Sequence, residues 1–133
     1  GVSRAAYCCL RLAAADPRVR AIAGPSPVTD WGILKEFAEY CDLSKTGQIH
    51  IDNWADQLAG RAVYLCIGSQ DEIVGTDSCV QFAMKLFERQ RKILPEGTLY
   101  NQLHVVDSTG HSPARNWRLD ATYYLMRFCE QAV

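Results

Sequence analysis

The chain has 133 residues, which suits a single domain and is long enough to bury a hydrophobic core. Hydrophobic residues make up 48% of it, charged residues 22%, and the formal net charge is −1. That balance is typical of a globular protein. A nucleic-acid-binding protein is disfavoured, because no surplus of basic residues is present to neutralise phosphates. The longest apolar run, Ala62 to Ile67, is too short to cross a membrane.

The cysteines show neither a disulfide framework nor a Cys-x-x-Cys pair, so we expect free thiols, and a zinc or dithiol site has no support. Several of them lie inside apolar segments, where free cysteine behaves as a small hydrophobic residue. Reduced thiols favour a cytoplasmic protein. The six positions are Cys8, Cys9, Cys41, Cys66, Cys79 and Cys129.

The first third of the chain predicts a helix, a strand and a second helix. Residues Arg4 to Ala15 are rich in Ala and Leu and stop at Asp16-Pro17, which is typical of a helix. Val19 to Ala23 is short and partly β-branched, and predicts a buried strand. Asp30 can cap a helix. The apolar face of that helix would be Trp31, Leu34, Phe37 and Cys41.

The middle of the chain begins with a polar segment, Asp42 to Gln48, which predicts a loop. Residues 49–60 are ambiguous, with a short helix around Trp54 and Leu58 as one interpretation. Ala62 to Ile67 is the clearest strand, because an unbroken apolar run suits a parallel strand that is buried on both faces.

The last part predicts helix, strand and helix. Thr76 would cap the first helix, Leu99 to Val106 would form the strand, and Trp117 to Glu130 the final helix. Strands that alternate with helices predict an α/β fold, with a parallel sheet and helices on its faces. The inward face of the helix after Thr76 would hold Cys79, Val80, Ala83, Leu86 and Phe87.

The chain opens with Gly1-Val2-Ser3-Arg4-Ala5, directly before the first predicted helix. This run resembles the Gly-x-Ser-x-Gly nucleophile elbow of α/β-hydrolases, with Ala5 in place of the last glycine. The simpler interpretation of Ser3 is a helix cap. The resemblance implies that Ser3 is the nucleophile and that the Arg4 backbone N–H is one oxyanion-hole donor.

A candidate acid follows the clearest strand, in Gly68-Ser69-Gln70-Asp71. A carboxylate at the carboxyl end of a strand can accept a histidine ring N–H and fix its tautomer. Asp71 is our first choice. Glu72 is a less well-placed alternative, and Asp30, after the preceding strand, is a more serious one.

A candidate base follows the last strand, in Ser108-Thr109-Gly110-His111. Histidine can take a serine proton because it titrates near neutrality. The weaker alternatives are His50, which has no strand before it, and His104, which lies inside a strand. Ser3, Asp71 and His111 therefore stand in the chain order of an α/β-hydrolase triad.

Stretches such as residues 14–19, 26–30, 67–71 and 103–106 resemble serine hydrolases of the dienelactone-hydrolase and prolyl-oligopeptidase-like branch. The resemblance implies hydrolysis of a small-molecule ester or of a peptide through an acyl-enzyme, without metal or cofactor. It also implies that residues 1–133 form a single partial domain with the three C-terminal strands, and that the N-terminal half of the fold is absent.

Two classes of function stay open at this point. The first is a segment of a serine hydrolase that pairs with its missing half or with another copy in a homo-oligomer. The second is a noncatalytic α/β interaction module whose triad residues are idle. The aromatic residues of the middle segment could line a substrate pocket but are expected more often in the core. They are Trp31, Phe37, Tyr40 and Trp54.

Overall fold

A computed structural model describes residues 1–37, 43–96, 98, 100–111 and 116–130, and leaves the side chains of residues 43, 44, 129 and 130 undescribed. Short 3₁₀ turns separate some of the regular elements. The helices and strands are α1 (Arg4–Ala15), β1 (Ala21–Pro25), α2 (Leu43–Thr46), α3 (Ala55–Leu58), β2 (Ala62–Gly68), α4 (Thr76–Ile93), β3 (Gln102–Val106) and α5 (Trp117–Glu130).

The three strands form one parallel sheet in the order β1-β2-β3, as the sequence predicts. In the register, Ala21 lies opposite Ala62 on one side of β2, and Val106 lies opposite Gly68 on the other. Because all three strands run the same way, the loops that follow them meet at one edge of the sheet.

The central strand β2 is buried along its whole length. Alternate residues face opposite sides of a strand. Val63, Leu65 and Ile67 accordingly join the core under α1 and α4, whereas Tyr64 and Cys66 join a smaller core under α5. The unbroken apolar run of β2 is thus explained by helices on both faces of the sheet.

Two helices predicted from the sequence, α1 and α5, have the predicted bounds, and β2 begins as predicted at Ala62 and extends one residue further, to Gly68. The bounds of the other two strands differ from the prediction. β1 begins and ends two residues later than the predicted Val19–Ala23, and β3 begins at Gln102 rather than at Leu99. Strand ends are the least certain part of a prediction from periodicity. The fold class itself is confirmed.

The prediction of a helix after Asp30 is wrong. The described part of that segment forms two 3₁₀ turns, Trp31–Ile33 and Lys35–Phe37, separated by Leu34 in an extended conformation. Asp30 does act as a cap, since its carboxylate accepts the Gly32 N–H at 2.8 Å. Cys41, also assigned to this helix, lies outside the described residues.

The segment between Leu43 and Leu58 is more helical than the polar loop expected over its first half. It contains α2, α3 and two further 3₁₀ turns, Gly47–Ile49 and Ile51–Trp54. Trp31, Phe37 and Trp54 pack against the larger core, while Tyr40 lies outside the described residues.

Helix α5 covers only part of its face of the sheet. The Tyr124 hydroxyl donates to the Tyr100 carbonyl and ties the helix to the chain before β3. Three apolar side chains one turn apart stay exposed on α5, namely Leu119, Tyr123 and Met126. Association with a second copy or with further chain remains a prediction. Among the described residues, no helix is long and apolar enough to span a bilayer.

None of the described cysteine side chains, Cys8, Cys9, Cys66 and Cys79, is in a disulfide. Cys41 lies outside the described residues, and the side chain of Cys129 is not described. Burial raises the pKa of Cys79 to about 12. Because an unfolded thiol ionises near pH 8.5, this burial contributes stability at neutral pH that is lost as the pH rises toward 12.

We expect alkylation at pH 8 to distinguish these thiols. Cys79 is completely buried and carries about 10³-fold less thiolate than a thiol of ordinary pKa, whereas Cys8 is exposed. Mass spectrometry of peptides after a short iodoacetamide pulse should find Cys8 modified and Cys79 unmodified, and both modified after denaturation. Equal modification in the native protein would contradict the packing of α4 on β2.

Gly68 offers a test of the close packing at the carboxyl edge. A Cβ at Gly68 would lie 2.8 Å from the Gly110 carbonyl oxygen, whereas a Cβ at Gly47 would meet nothing within 4 Å. Gly68→Ala should therefore lower the free energy of unfolding by about 1–3 kcal/mol through overpacking. Urea denaturation measures the change. Gly47→Ala is the control, and equal stability of the two variants would show that the loops do not touch.

Candidate active site

Ser3 lies between the start of the chain and α1, with φ 56° and ψ −123°. A positive φ is rare for any residue other than glycine and is strained. Ser3 makes no side-chain hydrogen bond to the helix end, so its hydroxyl is not used as a cap. This backbone conformation is the one expected of a serine on a sharp strand-to-helix turn.

Backbone contacts hold the strained turn. The Ser3 N–H donates to the Pro25 carbonyl at 3.1 Å, and the Ser3 carbonyl accepts the N–H groups of Ala6 and Tyr7. A Cβ at Gly1 would lie 2.5 Å from the Ala5 carbonyl oxygen, so only glycine fits there. The first glycine of the motif therefore has a steric reason in this chain.

Close packing of α1 on β1 also supports the turn at Ser3. A Cβ at Gly24 would approach the Ala6 Cβ to 3.3 Å, and Ala6 itself is completely buried. Small residues at both positions let the helix begin directly over the end of β1. Arg4 is the first residue of α1, and the first N–H groups of a helix have no partner within it. Its N–H therefore adjoins Ser3 at the positive end of the helix dipole.

Asp71 and His111 are in direct contact. The Nδ1 atom of His111 lies 2.9 Å from Oδ2 of Asp71, whose side chain is 0% exposed. The other carboxylate oxygen, Oδ1, accepts the N–H groups of Ile73 and Val74 at 3.1 and 3.2 Å. A buried carboxylate with these partners is well placed to hold one orientation of the imidazole.

Comparison with solved structures found several similar chains, two of which are long proteins that contain a domain like this one. The first, assigned as a dipeptidyl aminopeptidase IV of Bacteroides ovatus ATCC 8483, aligns with 98% of this chain at a TM-score of 0.73 and 19% identity. The second, a puromycin-hydrolysing peptidase of Mycobacterium tuberculosis, aligns with 93% at a TM-score of 0.63 and 16% identity. This chain has an α/β-hydrolase fold. It spans 18% and 21% of the lengths of those two proteins.

Both similar structures belong to the prolyl-oligopeptidase group of α/β-hydrolases, in agreement with the branch that the sequence resembles. At these identities the likeness establishes the fold alone. No protein-family model and no curated protein matches the chain.

Within this α/β-hydrolase fold, the three predicted site residues lie at the carboxyl edge of the sheet. Ser3 is bonded to the end of β1, Asp71 follows β2, and His111 follows β3. The structure brings Asp71 and His111 together. Among the described hydrogen bonds, none joins the Ser3 hydroxyl to His111. Catalytic hydrogen bonds of this kind are often long in the absence of substrate.

The alternative acid, Asp30, lies beside a different histidine. Its Oδ2 is 3.6 Å from Nε2 of His50, while Nδ1 of His50 is 3.7 Å from Oδ1 of Asp52. Asp30 is also occupied as the cap of the Trp31–Ile33 turn. The contacts of the other alternative base, His104, include the Tyr64 ring, 5.1 Å away on the α5 side of the sheet.

A cleft of about 210 Å³ opens beside the elbow. Glu36 pairs with Arg4 across it at 2.8 Å, and both side chains are about half exposed. A second cleft of about 320 Å³ lies next to Asp71, and Glu72 borders both. The first cleft is lined by Ser3, Arg4, Leu34, Lys35, Glu36, Glu72 and Ile73.

The lining of the cleft agrees with the expectation that the aromatic residues of the middle segment lie in the core rather than in a substrate pocket. The described aromatic residues of the middle segment do not line it, since Trp31 packs edge-on against Tyr7 at 5.1 Å and Trp54 lies under the Arg11 guanidinium at 3.3 Å. Charged side chains border the elbow instead. No group of His, Cys, Asp or Glu in the described part of the chain could hold a metal ion.

Thr76 makes hydrogen bonds beside the candidate acid that could not be predicted from the sequence. The residue that begins α4 as its cap is Gly75, at φ 78°, so the predicted capping by Thr76 is wrong. The Thr76 hydroxyl instead donates to the Gly68 carbonyl and lies 3.0 Å from the Asp71 N–H. A threonine shortly after a candidate acid carries no recognisable signal in the sequence, because the loop conformation decides which groups it reaches.

Proposed function

We propose that this chain carries the nucleophile, the base and the acid of a serine hydrolase that cleaves ester or peptide bonds through an acyl-enzyme. The observation that carries the proposal is the buried Asp71–His111 contact at the same sheet edge as a serine held at positive φ. Either feature alone has a structural explanation, but their occurrence at one edge, in the chain order of the triad, favours catalysis.

In the first half of the reaction, the Ser3 Oγ attacks the substrate carbonyl carbon while Nε2 of His111 takes the hydroxyl proton. Asp71 accepts the His111 Nδ1–H and stabilises the imidazolium that forms. The carbonyl oxygen becomes an oxyanion beside the Arg4 N–H. The carbon–nitrogen or carbon–oxygen bond then breaks, and the leaving group receives the proton from His111.

In the second half, His111 removes a proton from water, and the resulting hydroxide attacks the acyl-Ser3 carbonyl carbon. Collapse of this intermediate releases the acid and returns the proton to the Ser3 oxygen. The Arg4 N–H supplies one of the two oxyanion donors that such a site uses. The second donor belongs to the part of the fold outside these residues, as the sequence resemblance implies.

The cleft and the similar structures together support one substrate class, small polar peptides. Both similar proteins bear the names of peptidases, and this supports small peptides as substrates. The cleft beside Ser3 is small and bordered by the charged side chains of Lys35 and Glu72, which suits a polar substrate better than a long apolar acyl chain.

Reaction with a fluorophosphonate probe tests the nucleophile. The purified protein should form one covalent adduct per chain, located at Ser3 by mass spectrometry, because the probe reacts with a serine activated by a neighbouring base. Ser3→Ala should abolish the adduct, and His111→Gln should slow its formation by at least about 10²-fold.

Ser78→Ala is the matched control, since Ser78 lies on α4 and borders the neighbouring cleft but not the cleft beside Ser3. The control should label like the unchanged protein. A protein that is folded by circular dichroism yet forms no adduct would contradict the hydrolase proposal and favour the noncatalytic interaction module.

The identity of the acid is tested by comparing Asp71→Asn with Asp30→Asn. Asparagine at position 71 would present an amide N–H to His111 and favour the wrong tautomer, so kcat for an ester substrate should fall by about 10⁴-fold. Asparagine at position 30 can still cap the Trp31–Ile33 turn and should change kcat less than about threefold. The reverse outcome would assign the acid to Asp30.

A further inference from the structure

Hydrogen bonds within its own loop fix only one oxygen of the Asp71 carboxylate. Oδ1 accepts the N–H groups of Ile73 and Val74, which leaves Oδ2 for His111. These bonds set the carboxylate relative to the residues that follow it. They do not by themselves set the loop relative to β2 or to the base.

Thr76 reinforces that second connection, which otherwise consists of backbone bonds such as the long one of 3.4 Å from the Asp71 N–H to the Gly68 carbonyl. Its hydroxyl donates to the Gly68 carbonyl at 2.6 Å, at the last residue of β2, and accepts the Asp71 N–H at 3.0 Å. The Thr76 N–H donates in turn to the Asp71 carbonyl at 3.1 Å, together with the N–H of Gly75. One residue thus binds both backbone groups of the acid and the end of the strand before it.

The position of Thr76 makes this connection rigid. It is the first residue of α4, an 18-residue helix whose inner face is packed into the main core. Gly75, just before it, has a backbone conformation that only glycine adopts easily, and a Cβ there would lie 2.8 Å from Ile33. The helix start therefore cannot slide without breaking contacts on both sides.

We propose that Thr76 is a positioning residue for the reaction. It fixes the distance and the orientation of the Asp71 carboxylate relative to His111. The inference rests on the proposed function only for its catalytic consequence. The hydroxyl is needed because it donates to Gly68 and accepts from Asp71 at once, a pair of roles that serine can fill and valine cannot. Misplacement of a catalytic group by about 1 Å can lower the rate by about 10²-fold.

Three variants separate positioning from simple stability. Thr76→Val keeps the shape and removes the hydroxyl, Thr76→Ser keeps the hydroxyl, and Thr29→Val is the control. Thr29 is as completely buried as a core residue, and its hydroxyl makes no hydrogen bond within the described residues. All three would be compared by thermal unfolding, by kcat and KM on an ester, and by proton NMR of the His111 Nδ1–H, identified by its loss in His111→Gln.

We expect Thr76→Val to lower kcat by about 10- to 100-fold with KM changed less than about twofold, and to shift or broaden the His111 Nδ1–H resonance. Thr76→Ser should recover most of the kcat and the resonance, and Thr29→Val should change neither by more than about twofold. If Thr76→Val does not fold, Thr76→Ala removes the same hydroxyl without branching and carries the comparison.

An unchanged His111 resonance and an unchanged kcat in Thr76→Val would overturn the proposal. A loss of kcat that Thr76→Ser fails to recover would also overturn it, because the hydroxyl would then not be the cause. If the unchanged protein neither hydrolyses esters nor reacts with the fluorophosphonate, the proposed function fails. The NMR comparison would still decide whether Thr76 positions the Asp71–His111 pair.

Discussion

Both sides of β2 are hydrogen-bonded to parallel strands, and the placement of every proposed site residue depends on this pairing. Parallel pairing brings the carboxyl ends of the strands to one edge, so short loops are enough to bring Asp71 to His111. The same pairing requires helices on both faces, because parallel crossovers return over the sheet. The two cores are therefore consequences of the arrangement that assembles the site.

Backbone strain is concentrated where this edge meets the start of α1. Ser3 and Ser26 are the described residues other than glycine with positive φ, at 56° and 42°, and they lie on either side of one hydrogen bond, from Ser3 to Pro25. Each such conformation costs of the order of 1–3 kcal/mol. The compensation comes from groups that bind both serines, since the Ser26 N–H donates to the Cys66 carbonyl of β2. A strained turn is thus attached to the best-packed strand of the sheet.

The sequence was most informative where one physical signal dominated. Helix α1 and strand β2 have uniform composition and clear stop signals. Asp71 and His111 could be proposed because each follows a predicted strand, and Ser3 because it lies in an elbow-like run directly before a predicted helix. The segment after Asp30 was misassigned because helical periodicity does not distinguish an α-helix from 3₁₀ turns interrupted by an extended residue. The role of Thr76 depends on how a loop folds back on its own strand, which no local propensity encodes. The Asp71–His111 distance likewise depends on strand register rather than on either residue.

The three proposed site residues are attached to strands that differ in burial. Ser3 is bonded to the end of β1 and Asp71 follows β2, and these two strands are buried along most or all of their length. His111 follows β3, none of whose residues is buried and in which Val105 is half exposed. Local opening free energies are lowest where few buried contacts and many exposed backbone hydrogen bonds occur. As temperature or denaturant rises, β3 should therefore open before the rest of the sheet and carry His111 away from Asp71 and Ser3, which stay in place. Separation of these residues would then be a reversible event that precedes global unfolding. The stability of the proposed site would depend on the local opening of the edge strand rather than on the stability of the core.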